Sequence, residues 1–321
     1  MVETRLELSQ IYQLTSIEKI KNPRMSAILK VYGKVLKTMV DILLDRGFHW
    51  VPPVILAKST DPLWPDPSYS IEKRVEVEVY GTHVKMMQSM IVHKRVLVSL
   101  GPPKIFILSP NIRIESRDRM STGRHLYEFT QLDLEVAYGK MEDIFRLFEE
   151  LVKRSIEVVN EEMKEEMETL SREIRIPRTP FKVYKRRWLE EKYGEAWEEI
   201  ISREFEDPVW VTDIPRQFYD YEDLETGEWR NYDLILPEGY GEVLSGAERE
   251  YEYQKILKKI ERDGLKKDDF KLLLELAERG LLKPSAGAGL GVERFVQFVC
   301  GLKHIGEVQP FPRIPGLVPE L

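Results

Sequence analysis

The chain has 321 residues, of which 42% are hydrophobic and 32% charged, with a formal net charge of -7. Such a length and apolar fraction fill one large core or two ordinary ones, and the mixed charge offers none of the basic excess that marks nucleic-acid binders. The single cysteine, Cys300, lies in an apolar run, no stretch of eighteen apolar residues occurs and the N-terminus has no hydrophobic signal core, so disulfides, a cysteine metal site, a membrane span and a secretory leader are not expected and a reducing, cytoplasmic setting is.

Residues 16–46 set Ile17, Ile20, Met25, Ile28, Tyr32, Val35, Met39 and Leu43 near helical spacing and predict one long amphipathic helix, ended by Gly47. A short strand at 48–51 is stopped by Pro52 and Pro53. Residues 71–80 alternate like a half-buried strand, and 104–114 and 126–138 are two more strands around a polar loop, which together predict an antiparallel sheet. Residues 141–174 carry Ile144, Phe148, Leu151, Ile156, Val159 and Met163 on one side of a second long helix. The segment from about 175 to 207, basic and then aromatic and acidic, reads as a helical insertion. Strands at 209–213 and 231–236 follow, then helices near 245–262 and 268–279. With no internal repeat or low-complexity linker, residues 1–321 are expected to form one α+β domain, an antiparallel sheet flanked by helices.

Three segments carry chemistry. Gly287, Gly289 and Gly291 alternate with Ala288, Leu290 and Val292 before Glu293-Arg294 opens a helix. A glycine floor lets a ligand approach the backbone, and a guanidinium above it suits phosphates and flat rings. The loop between 113 and 129 holds Arg113, Glu115, Arg124, His125 and Glu128, with Asp133 and Glu135 on its return strand. Charges on one sheet face are costly to bury unless they form a site. Asp233 ends a strand, and Glu242 and Ser245 stand three apart where a helix is expected, an oxygen set that suits Mg²⁺ although Ser245 is equally a plausible N-cap.

In this order the segments resemble the class II aminoacyl-tRNA synthetases, most closely the catalytic module shared by aspartyl- and asparaginyl-tRNA synthetases. Gly47 to Pro53 resembles the family's first motif, which packs a dimer interface, so a homodimer is expected. Arg113-x-Glu115 through Arg124-His125-Leu-x-Glu128-Phe129 resembles the second and Gly289-x-Gly-x-Glu-Arg294 the third; Val209-x-Val-Thr-Asp-x-Pro215 and Gly241-Glu242-x-x-Ser-Gly-Ala-x-Arg249 are typical of the subgroup. The resemblance implies catalytic roles for Arg113, Arg249 and Arg294. It implies an ATP site of Arg113, Glu115, Arg124, His125, Phe129, Glu242, Gly291 and Arg294, with Phe129 and Arg294 sandwiching adenine. Aspartate would meet Lys85, Arg113, Asp133, Ser245, Gly246, Arg249 and Gly289, and Mg²⁺ would be held by Asp233, Glu242 and Ser245.

Synthetases of this subgroup add an N-terminal anticodon-reading barrel, for which the roughly fifteen residues before the first predicted helix leave no room. The chain therefore resembles the stand-alone archaeal asparagine synthetases related to asparaginyl-tRNA synthetase. The expected reaction joins aspartate and ATP as β-aspartyl-adenylate, which ammonia converts to asparagine with release of AMP. Lys85, in the slot where tRNA-charging relatives have a glutamine, is expected to hold an α-carboxylate. No thiol nucleophile is at hand for glutamine amidotransfer, since residue 1 is Met and Cys300 reads as buried. The alternative is a tRNA-charging or tRNA-binding paralogue, for which Lys182-Val-Tyr-Lys-Arg-Arg187 is the one dense basic run.

Overall fold

The computed structural model describes residues 6–63 and 71–320. Among them the helices of eight or more residues are α1 (Pro23–Asp45), α2 (Ile91–Leu100), α3 (Met141–Glu162), α4 (Arg186–Tyr193), α5 (Trp197–Glu204), α6 (Tyr253–Arg262), α7 (Lys271–Glu278) and α8 (Val292–Cys300). The central sheet has strands β1 (His49–Trp50), β2 (Lys104–Ile112), β3 (Glu128–Ala137), β4 (Lys182–Lys185), β5 (Val209–Thr212), β6 (Asn231–Leu236), β7 (Gly241–Glu248) and β8 (Ser285–Gly291). Their spatial order is β1-β2-β3-β8-β7-β6-β5-β4. Pairing is antiparallel from β2 through β5, and the two edge strands β1 and β4 add in parallel.

One face of this sheet is covered by α1, α3 and α8. Val31, Val35, Met39 and Leu43 of α1 and Phe148, Leu151 and Ile156 of α3 meet Leu134, Leu244, Ala288 and Phe295 in a single buried cluster. The long apolar stripes read from the sequence thus account for the back of the molecule. The opposite face is free to carry polar groups. A second cluster, in which Ile91 of α2 packs with Ile256 and Ile260 of α6 and Leu273 of α7, walls one side of that face.

Local chemistry moves several expected boundaries. The helix expected over 16–46 restarts at Pro23, because the Asn22 side chain accepts the Arg24 N–H at 2.9 Å and proline occupies the first helical position; a short 3₁₀ turn, Ile17–Lys21, precedes it. The helix expected over 141–174 breaks at Met163, with Lys164–Leu170 continuing as a separate turn. Residues 71–80 form two short strands, Ile71–Lys73 and Glu76–Val79, in ladders outside the central sheet. The helix expected from 245 begins at Tyr253, and Ser245 lies in β7, so it caps nothing. The insertion is more than a helical cover: its β4 extends the sheet, while Leu189 of α4 and Ile201 of α5 pack on Val209, Val211 and Ile235.

Candidate active site

The polar face is centred on β3, β8, β7 and β6. Leu234 pairs with Leu244 and Ile235 with Glu242, which leaves Val243 as an extra residue in β7. A bulge of this kind resets the two-residue alternation. Glu242 and Ser245, three apart, are therefore both half-buried and face the site, whereas Val243 and Leu244 are buried. Asp233 sits directly opposite Ser245, so the three residues expected to hold a metal do converge on one patch of sheet.

Two adjoining cavities open on this patch. The first, about 100 Å³, is lined by Arg113, Glu115, Phe129, Glu242, Gly291 and Arg294, together with Arg124 and His125. Arg294 stands in the first turn of α8 and donates from Nε to the Arg124 carbonyl at 3.1 Å and from Nη1 to the Glu242 carbonyl at 3.0 Å. The Arg113 guanidinium lies 5.2 Å from the centroid of the Phe129 ring, and its Nε donates to the Gln88 carbonyl at 3.1 Å. The strand is interrupted at Arg113, between Ile112 and the short strand Ile114–Glu115, so strand alternation does not by itself align Arg113 with Glu115, although both line the first cavity. Burial, reinforced by Arg294, Arg124 and Arg119, pushes the His125 imidazole down to about 2. His125 is thus a neutral hydrogen-bonding group, with Nδ1 2.6 Å from the Thr122 hydroxyl.

The second cavity, about 240 Å³, is lined by Lys94, Asp133, Arg216, Ser245, Gly246 and Arg249, and shares Arg113, Gln131, Glu242 and Gly289 with the first. Its charges are interlocked. Lys94 of α2 reaches Asp133 and, at 3.3 Å, Glu135. Arg249 donates to Glu135 at 3.2 Å, to Asp220 at 2.7 Å and to the Gly287 carbonyl at 3.1 Å. Burial pushes the Asp133 carboxyl up, with Lys94 only partly offsetting it. Burial also acts on Glu135, but Arg249, Lys94 and Arg95 outweigh it and hold that carboxyl below the usual range. Asp133 Oδ2 is buried and has no partner among the described residues, an acceptor that a bound group could satisfy.

Arg216 of the second cavity donates to Ser245 and to Asp233 Oδ2. Asp233 Oδ1 remains buried with no partner among the described residues, and burial pushes this carboxyl well up, Arg216 opposing and Glu242 adding to the shift. Burial acts likewise on Glu242, but Arg294, Arg124, Arg216 and Arg113 together hold it below the usual range. An orphaned carboxylate oxygen beside a second carboxylate and a hydroxyl fits a hard divalent cation. Among the described residues no group of three His, Cys, Asp or Glu side chains is gathered closely enough to hold a metal alone, so such an ion would need further oxygens from its ligand.

Of the residues expected at the site, Lys85 is the one placed elsewhere. It lies in the strand Thr82–Met86 and forms an ion pair with Asp269 at 2.9 Å, outside both cavities. Just past this strand lies the buried Gln88, whose backbone carbonyl accepts from Arg113 and whose side-chain amide has no partner among the described residues. Gly246 and Gly289 line the second cavity and Gly291 the first; a Cβ at Gly246 would come within 2.4 Å of the Tyr232 ring. Sequence reasoning missed Lys94, Gln131, Arg216 and Asp220. Lys94 and Arg95 carried a signal, because two cations inside the run Ile91-Val-His-Lys-Arg-Val-Leu-Val98 must be buried if that run is a packed helix.

A model of the class II tRNA synthetases (D, K and N) matches residues 10–315. Asparagine–tRNA ligase of Thermococcus kodakarensis is 29% identical over 92% of this chain and 71% of its own length. Aspartate–tRNA(Asp/Asn) ligase of Methanothermobacter thermautotrophicus is 30% identical over 92% and 68%. The structure of asparaginyl-tRNA synthetase from Pyrococcus horikoshii complexed with asparaginyl-adenylate superposes with a TM-score of 0.83 at 29% identity, covering 95% of this chain and 73% of that one. On its motifs, its sheet and this match across nearly its whole length, the chain belongs to the class II tRNA synthetase family of the D, K and N type.

Proposed function

We propose that the joined cavities activate aspartate with ATP to give an aspartyl-adenylate and pyrophosphate. The observation that carries this reading is the position of Arg113, which lines both cavities where they meet. A planar fork there can bridge the attacking carboxylate and the α-phosphate and offset the charge that grows on phosphorus. The new carboxylate–phosphorus bond forms as the bond to pyrophosphate breaks in line, and holding both reactants accounts for most of the rate. Phe129 and Arg294 would hold adenine, Arg124 and His125 the β- and γ-phosphates. Asp133 Oδ2 would accept from the substrate ammonium, and Arg249 or Arg216 would take the second carboxylate. Lys94, Arg216 and Arg249 are already paired with carboxylates, so the choice of a dicarboxylate over its amide rests on Arg249 or Arg216 exchanging its partner for the substrate. Asp233, Glu242 and Ser245 would hold Mg²⁺, which supplies positive charge for the departing pyrophosphate.

For the acceptor of the activated acyl group, the relatives favour tRNA over ammonia, since those compared are tRNA ligases for asparagine or aspartate. Transfer to a tRNA 3′ hydroxyl is therefore the first reading. One feature of this chain favours the second, amide formation with ammonia. Three of the four basic residues in the run expected to meet nucleic acid have acidic neighbours at the surface: Lys185 pairs with Glu228 at 2.5 Å, Arg186 with Glu190 at 2.7 Å and Arg187 with Glu191 at 2.9 Å. Incubation with ATP, Mg²⁺ and aspartate, with either ammonium or tRNA added, separates the two. Aspartyl-tRNA without asparagine supports the first reading, asparagine with AMP the second, and ADP as the nucleotide product contradicts adenylation altogether.

A further inference from the structure

Glu198 comes from α5, in the insertion, and binds Arg124, a residue of the nucleotide cavity's lining, from outside the motifs. Its Oε1 lies 2.9 Å from Arg124 Nη2 and accepts the Glu242 backbone N–H at 3.1 Å. A guanidinium and a backbone N–H converging on one oxygen form an anion site, here filled by the chain's own carboxylate. The contact is built into the fold. At Gly241, where φ is +70°, an added Cβ would come within 2.7 Å of both Arg124 Nη1 and Glu198 Oε1, so the position is restricted to glycine by backbone angle and by space alike. Ile201, one turn along α5, is fully buried against Val209 and Val211. The helix is therefore anchored while the Glu198 carboxylate is about one-third exposed. A cavity of about 430 Å³ adjoins this pair, lined by Arg124, Glu198, Lys303 and Arg203, the last paired with Glu199 at 3.3 Å, and offers the carboxylate space if it is displaced.

We infer that Glu198 is a displaceable stand-in for the terminal phosphates, a positioning residue that weakens polyphosphate binding and hastens pyrophosphate release. The inference rests on the assignment of Arg124 to the β- and γ-phosphates. ATP or pyrophosphate must take Arg124 from Glu198 and move that negative charge aside, whereas AMP, which ends at the α-phosphate, need not. Calorimetric titration of the full chain with pyrophosphate, ATP and AMP in the presence of Mg²⁺ tests it on the unmodified protein, Glu198→Ala and Glu198→Gln. Removal of a partly exposed carboxylate should tighten pyrophosphate and ATP by about fivefold in Glu198→Ala and leave AMP unchanged. Glu198→Gln keeps the acceptor oxygen and loses the charge, so it should show a smaller gain of the same sign and serves if the alanine variant does not fold. Weaker or unchanged pyrophosphate binding in the variants, or an equal gain for AMP, overturns the inference. Absence of ATP and pyrophosphate binding in the unmodified protein overturns the nucleotide assignment itself, and the inference with it.

Discussion

The two cavities are built on different principles although they share one sheet face. On the nucleotide side the arginines rest on backbone oxygens or on a side chain that can leave: Arg113 on the Gln88 carbonyl, Arg294 on those of Arg124 and Glu242, Arg124 on Glu198. On the amino-acid side Lys94, Asp133, Glu135, Asp220 and Arg249 are buried and bonded to one another. The first half is expected to rearrange around a ligand more readily than the second. The second is held by its own buried ion pairs, so its charges support the structure and, in the proposed reading, the substrate as well.

Substitutions should expose this difference. Arg113→Ala should lower aspartate-dependent pyrophosphate exchange by about 10³-fold, the scale of losing a donor to a developing charge, with the melting temperature nearly unchanged; loss of folding would contradict the separation. Arg249→Ala should abolish aspartate-dependent exchange, leave ATP binding within about twofold and destabilise the protein by roughly 3–5 kcal/mol in denaturant titration, because the buried Glu135 and Asp220 each lose a directly bonded cation. Equal loss of ATP and aspartate binding would mean that the two halves are not independent.

A smaller effect follows from His125. Its pKa is depressed to about 2 in the folded chain by burial and the neighbouring arginines, against about 6.5 when unfolded. For a depressed base the stabilising contribution is present above pH 6.5 and is lost as the pH falls, because the unfolded chain takes up the proton first. The slope reaches about 1.4 kcal/mol per pH unit at most. His125→Gln should flatten the fall in stability below pH 6.5. His93 and His304, also depressed by burial, contribute with the same sign and remain, so a residual slope is expected; an unchanged slope would show that His125 is not held neutral. Least of all, Cys300→Ala should leave exchange within about twofold. Burial pushes this thiol up to about 12, and native protein should resist alkylation at pH 8; rapid labelling would reopen a thiol-dependent route.

The same contrast governs what was legible in the sequence. The residues that line the first cavity were readable as a group because they fall in short local patterns, such as the glycine alternation running into Glu293-Arg294 and the arginines of the 113–129 loop. The amino-acid side is assembled from α2, β3, β7 and the loop around Arg216, and no local period links Lys94 to Asp133 or Arg216 to Asp233. The slot given to Lys85 failed for this reason: the cavity's lysine lies nine residues further on, in α2. Ser245 was placed in a helix because the spacing of Glu242 and Ser245 is helical, and only the extra residue Val243 lets a strand present both on one face. The backbone elements behind the sheet, set by long apolar stripes, were recovered apart from the restarts at Asn22-Pro23 and Met163.

Isotope exchange between pyrophosphate and ATP, measured with and without aspartate, tests the central claim most directly. The joined cavities predict exchange that requires both aspartate and Mg²⁺, with AMP as the nucleotide product once an acceptor is supplied. Exchange that ignores aspartate, or turnover that yields ADP and phosphate, would contradict it.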